Sequence, residues 1–499
     1  MSAITITDRL SLATVAAAAE RPGVSGPAVD PRALSTGIVH FGVGAFHRAH
    51  QAVYTEDAAA ATGDTRWGIL GVTGRSARVA EQLGPQDGLY SVLTKARDSS
   101  SLRVMGSMRG VAFPGTDSEE VLRTLAAENV HLASLTITEK GYPRMLGGGL
   151  DLTHPGVVAD VNALKAEVSG RSFAGPARTP LGLLARGLAR RHSSSGAPFA
   201  VMCCDNLMSN GSVTRSLVLG LAEAAGAERL LEWLDAAVSF PSTMVDRIVP
   251  ATTEANRREA ERLLGLRDEG LVVAEPFGQW IIEDKFPGPR PAWERAGAVL
   301  TGDVGTFELA KLRMLNATHS LLAYLGALRG YPTIADAVAA DGLVEEARRL
   351  QRNDIIPTLT APPGTDLADY GESILDRFAN PNLGHTTIQV AMDGSQKLPV
   401  RILGTVADRL TAGEIPYSGA LLVAAWMVFV YRGRDVNGQP LALDDPMADA
   451  LRAAADGSEA GLADRLLGVK QIFPEELAGH TGFRTAVAEA VRRLLSEVP

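Results

Sequence analysis

GIVHFGVGAFHRAHQAVYTEDAA, residues Gly37 to Ala59, decides the fold. The apolar run Gly37–Gly42 has the length of a buried strand and leads into Gly42-x-Gly44-x-x-His47. Two glycines at a strand-to-helix turn let the backbone approach a pyrophosphate, and the helix N-terminus behind them favours its charge. His47 stands where a third glycine is usual, so the pattern rests on its context: a first strand before it and a helix after it. A tight turn in any α/β domain is the plainer reading of the same residues.

Three more apolar runs follow: WGILGV (Trp67–Val72), LASLTIT (Leu132–Thr138) and FAVMCC (Phe199–Cys204). Helical stretches such as Ser118–Asn129 and Leu181–Arg191 alternate with them. Buried parallel strands read as near-continuous apolar runs, so the alternation predicts an α/β fold with a Rossmann-like, doubly wound sheet. From about Glu254 helical periodicity takes over, at Ala255–Leu264, Phe307–Leu328, Ile334–Arg352, Gly419–Tyr431 and Phe483–Ser496. The expected organisation is a dinucleotide-binding domain over residues 1–240 and a mostly α-helical substrate and catalytic domain over 241–499.

The second strand continues into Thr73-Gly74-Arg75-Ser76, without the carboxylate that often meets a ribose hydroxyl. Arg75 and Ser76 are suited to a 2′-phosphate, which leaves NADP open beside NAD. Cys204-Asp205-Asn206 closes the FAVMCC run, placing polar groups at the strand end where open α/β sheets bind ligands.

Bulk properties narrow the function. The chain has 499 residues, 46% hydrophobic and 21% charged, enough for more than one core. A net charge of −9 argues against nucleic-acid binding, since a broad basic surface is lacking. The two cysteines, Cys203 and Cys204, are adjacent, which excludes a disulfide scaffold. The N-terminal segment lacks a basic, then apolar, leader, and no run is long enough for a membrane span, so a cytoplasmic protein is expected.

The chemistry is expected in FELAKLRMLNATHSLLAYLG, Phe307 to Gly326. At about 100° per residue, Glu308, His319 and Asn316 fall about 60°, 80° and 140° from Lys311, on one side of a helix. A lysine, an asparagine and a histidine among so many leucines would be costly to bury without a purpose. Asp246 lies in another apolar run, STMVDRIVP, and His385–Arg401 (HTTIQVAMDGSQKLPVR) brings Lys397 and Arg401 after a glycine turn.

Together these motifs resemble the polyol-specific long-chain dehydrogenases, a family that includes mannitol 2-dehydrogenases and fructuronate reductases. The resemblance is carried by HFGVGAFHRAHQ, QDGLY (Gln86–Tyr90), SLTITEKGY (Ser134–Tyr142), CDN, MVDRI, EPFGQWIIEDKF (Glu275–Phe286) and KLRMLNATHS. It implies a zinc-independent hydride transfer between NAD(H) and a sugar acid or polyol, with no metal. Lys311 would be the general acid, made a usable base by burial. Asn316 and Asn206 would donate to the alkoxide. His319 would orient the substrate, Asp246 would position the cluster, and Glu308 would belong to a proton path. The cofactor set would be Gly42, Gly44, Ala45, Phe46, Arg75 and Glu139.

Where mannitol enzymes read RxxHDGSxK, this chain has Gln389 and Met392, and it reads TEKGY rather than TEGGY. That departure looks like the uronate reductases, with Lys397 or Arg401 paired to a carboxylate and Gln389 beside the substrate. The expectation is D-fructuronate to D-mannonate. The alternatives are a mannitol or arabinitol dehydrogenase, an epimerase that retains NAD, and a silent nucleotide sensor. No assembly motif stands out, so a monomer or weak homo-oligomer is expected.

Overall fold

The computed structural model of the protein describes residues 8–145, 148–171 and 175–497. The first seven residues, part of the segment read for a leader, lie outside these. The chain divides into two compact units, Met1–Val304 and Gly305–Pro499.

The first unit is built on a six-stranded sheet. Its strands are β1 (Thr36–Phe41), β2 (Gly68–Val72), β3 (Met108–Ala112), β4 (Leu132–Leu135), β5 (Phe199–Cys203) and β6 (Val238–Ser239). All pairs are parallel, and the order is 3-2-1-4-5-6, that of doubly wound dinucleotide-binding sheets. Both faces are covered. Val39, Phe41, Leu70, Val72, Ala133, Leu135 and Val201 pack into one core. Ile38, Ile69, Leu132, Ala200 and Met202 alternate with them into a second. This two-sided burial is why these strands read as unbroken apolar runs.

Residues beyond 240 still belong to this unit, so its end lies at Val304 rather than at the expected 240. The reason is strand pairing. Val272–Ala274 pairs in parallel with Tyr90–Lys95. Thr243–Asp246, Gln279–Glu283 and Val299–Thr301 form a third sheet. Trp280 and Trp293 enter the same core as Ala52 and Trp67, and the Arg247 guanidinium donates to the carbonyl of Ala49 at 2.5 Å. Helical periodicity therefore takes over at Gly305; the helix at Glu254–Leu264 stands before these last strands.

The described residues of the second unit form helices and their connectors. Two of its helices, Ala317–Leu328 and Tyr417–Arg432, are buried almost all round, as central helices must be. Three segments wind as π-helices: Lys311–Asn316, Leu350–Ile355 and Pro399–Leu403. The first packs against both of the others.

Candidate active site

The first unit carries the glycine turn expected to take the dinucleotide. Gly42 leaves β1 at φ 96°, and a Cβ there would lie 2.0 Å from the carbonyl oxygen of Thr136. Only glycine fits this position. Gly44 is exposed, and a Cβ on it would meet nothing nearer than the Gly42 oxygen at 3.9 Å, leaving room for a ligand against the backbone. Ala45 and Phe46 follow it, both half-buried, in the short helix Ala45–Ala49.

His47 explains the missing third glycine. The helix breaks at His50 (φ −128°, ψ −86°) before resuming at Gln51–Thr62, and His47 turns inward to stack on His40. The ring centroids are 3.3 Å apart and the ring planes nearly parallel, at 11°. His40 is bonded in turn to Ser134 Oγ at 2.8 Å, Thr136 Oγ1 at 2.9 Å and the Gly42 carbonyl at 3.2 Å. Burial holds His40 down to about 3, the Gly42 carbonyl opposing the shift. It pushes His47 well below its ordinary value, with His40 and Arg48 adding to the effect. Both rings are therefore neutral props beneath the turn.

The exits of neighbouring strands complete this edge of the sheet. Arg75 is exposed in the loop after β2. Glu139 is exposed in a 3-10 turn after β4. Asp205, quoted within a motif but given no role, is the organiser here. It accepts from Ile137 N at 3.0 Å, Thr138 N at 2.8 Å and the Tyr142 hydroxyl at 2.6 Å. Those bonds hold Thr138 at φ 64°, a left-handed conformation rare for threonine, and fix the loop that carries Glu139. Burial raises the Asp205 carboxyl, with the Tyr142 bond opposing. Asn206 follows it, exposed at the exit of β5, while Asp246 is buried at the end of Thr243–Asp246, opposite Gln279.

The second unit carries the lysine series. Glu308 is half-buried on the helix Gly305–Ala310, Lys311 and Asn316 are the first and last residues of the π-helix, and His319 stands on the helix beyond. Lys311 and His319 are each 9% exposed. The angles expected for an unbroken α-helix therefore need correction. An i→i+5 turn advances by roughly 80° per residue instead of about 100°. Across the π segment the spread of Lys311, Asn316 and His319 falls from about 140° to about 60°. The irregular turn brings the three polar residues onto a narrower face than sequence periodicity gives them.

His319 lies flat on Phe378, with ring centroids 4.5 Å apart, and edge-on to His385 at 4.9 Å. Its Nε2 is buried and has no hydrogen-bond partner. Burial pushes its pKa well below the ordinary value, and His385, Arg401, Lys397 and Arg377 press in the same direction. Lys397 is half-buried and donates to the Val390 carbonyl at 3.1 Å. Arg401 instead donates to Ser320 Oγ at 2.9 Å and to the Asn316 carbonyl at 3.3 Å. Gln389 is exposed on the short helix Thr387–Ala391. Arg377 and His385 belong to the surroundings of His319 without having been singled out. His385 opened a quoted segment, whereas nothing around Arg377 in the sequence marks it.

Among the described residues, no cluster of three or more His, Cys, Asp or Glu is arranged to hold a metal ion. No helix among them is long and apolar enough to cross a membrane.

Residues 36–295 match the mannitol dehydrogenase Rossmann domain, and residues 303–495 match the mannitol dehydrogenase C-terminal domain. The chain is 41% identical over 477 residues to D-mannonate oxidoreductase of Escherichia coli (strain K12), covering 94% of this chain and 96% of that protein. It is 38% identical over 436 residues to mannitol 2-dehydrogenase of Cereibacter sphaeroides, covering 87% and 88%. Among solved structures, Pseudomonas fluorescens mannitol 2-dehydrogenase in ternary complex with NAD and D-mannitol superimposes with a TM-score of 0.85. Its sequence is 34% identical, and the match covers 98% of this chain and 97% of that one.

Proposed function

The chain belongs to the mannitol dehydrogenase family, and from that premise we propose that it is an NAD(H)-dependent secondary-alcohol dehydrogenase that reduces D-fructuronate to D-mannonate. The observation that carries the substrate choice is the setting of His319. Its buried, unpartnered Nε2 suits a sugar hydroxyl, and Lys397, Arg401 and Arg377 surround the ring with positive charge. A ketose that also bears a carboxylate matches both features.

Gly42, Gly44, Ala45 and Phe46 would hold the cofactor's pyrophosphate side, in the space left open on Gly44. When bound, NADH supplies the hydride. Lys311 Nζ delivers the proton to the oxygen that becomes an alkoxide. The Asn316 carboxamide donates to the same oxygen as its charge develops. Neutral His319 fixes an adjacent hydroxyl, and the Lys397 ammonium meets the carboxylate. Asn206 is assigned the second donor to the alkoxide, Asp246 the positioning of the cluster, and Glu308 the proton path, all as the family resemblance implies.

A substrate panel tests the reading. D-fructuronate, D-tagaturonate and D-fructose are each offered with NADH and with NADPH, and loss of nicotinamide absorbance is followed. The highest kcat/KM is expected for D-fructuronate with NADH. A fructose rate above the fructuronate rate would place the protein with the polyol dehydrogenases. Conversion of substrate with no net change in nicotinamide would instead indicate an epimerase. A better rate with NADPH would assign Arg75 to a 2′-phosphate.

A further inference from the structure

Arg401 was expected to meet a substrate carboxylate, yet it bonds to the helix that carries Lys311, Asn316 and His319. Its Nη1 reaches Ser320 Oγ at 2.9 Å and the Asn316 carbonyl at 3.3 Å. Asn316 is the last residue of the Lys311–Asn316 π-helix and Ser320 lies one turn beyond, so the guanidinium spans the joint between wide and narrow winding. Arg401 itself sits in the π-helix Pro399–Leu403, which packs on the first. A carbonyl has a second lone pair free for such a donor after its helical bond is made. The other π-helix is tied to the same helix, Gln351 Nε2 donating to Thr318 Oγ1 at 3.1 Å.

We propose that Arg401 is a positioning residue: it pins the end of the π-helix and so keeps Lys311, Asn316 and His319 on one face. This rests on the function proposed above. Without the tie the π turn is free to rewind, the three side chains spread apart, and the proton donor moves off the reacting oxygen. Displacements of about 1 Å at such a site cost up to about a hundredfold in rate.

The test compares Arg401→Lys and Ser320→Ala with the wild type, on D-fructuronate and on neutral D-fructose. NADH binding is measured by fluorescence. For both variants kcat is expected to fall on both ketoses, about tenfold or more for Arg401→Lys and less for Ser320→Ala. KM and NADH affinity should stay within about threefold, and the ratio of acid to neutral activity should not change. A KM rise confined to fructuronate would overturn the proposal and return Arg401 to the substrate carboxylate. So would unaltered kcat in both variants. Should Arg401→Lys fail to fold, Ser320→Ala alone decides. Failure of the wild type to reduce either ketose would sink the functional reading instead, an outcome separate from these.

Discussion

The glycine turn of the first unit and the lysine-bearing helix of the second both depend on a break in regular structure, and the two breaks have different origins. At Gly42 the break is local. A φ of 96° and a carbonyl 2.0 Å from any Cβ demand one residue type, and the sequence must supply it. At Lys311–Asn316 no residue type demands the π winding. The turn is held from outside, by Arg401 on Asn316 and Ser320, by Gln351 on Thr318, and by Arg313 on Thr358 Oγ1 at 2.7 Å and Asp408 at 2.6 Å. A locally caused irregularity leaves a mark in the sequence. One caused by tertiary contacts leaves none.

The comparison predicts separable losses. Lys311→Ala removes the proton donor from the second unit and leaves the turn intact. Turnover should fall by about 10³-fold or more, with NADH affinity nearly unchanged. Retained activity would contradict the assigned donor, and a matching loss of NADH affinity would break the division of labour.

Gly42→Ala is the converse. The added Cβ meets a backbone oxygen that cannot move without dragging the loop after β4, and the left-handed φ adds strain. A destabilisation of about 3 kcal/mol is expected, read as a lower Tm, together with a marked loss of NADH affinity. Normal NADH binding in this variant would show that the turn relaxes and that glycine is not required there.

The same contrast explains what could be read from the sequence. The strands β1, β2, β4 and β5 were legible to within a few residues because burial on both faces made them continuous apolar runs. Tyr90–Lys95 and Ser100–Met105 were missed, since Ser91, Thr94, Ser100, Ser101 and Arg103 interrupt any such run. The strands beyond 240 were hidden too, being three to five residues long and stabilised by distant partners. At the site, the residue types Lys311, Asn316 and His319 were readable from the cost of burying them. Their shared side was readable as well, but not how narrow it is, because an α-helical period was applied across a π turn. Arg401 could be read as a cation, but not as one already bonded to the helix.

The smallest expected effect probes the props beneath the turn. Burial holds His40 at about 3 and His47 well below 6.5, so both stay neutral in the folded chain. The unfolded chain takes up protons on both as pH falls through 6.5, and the folded chain does not. Stability therefore rises with pH across this window and is lost on acidification, by roughly 1.4 kcal/mol per pH unit for each such ring. His319 and His385 in the second unit shift in the same direction, so the acid sensitivity of the wild type does not distinguish the units. His47→Phe does. It keeps an aromatic ring against His40 and removes one proton-binding group whose two nitrogens have no partners. Between about pH 7 and 5 the Tm of the variant should fall less steeply than that of the wild type, whatever its value at pH 7. An unchanged slope would show that His47 takes no part in the acid sensitivity and that its stack on His40 is a packing feature only.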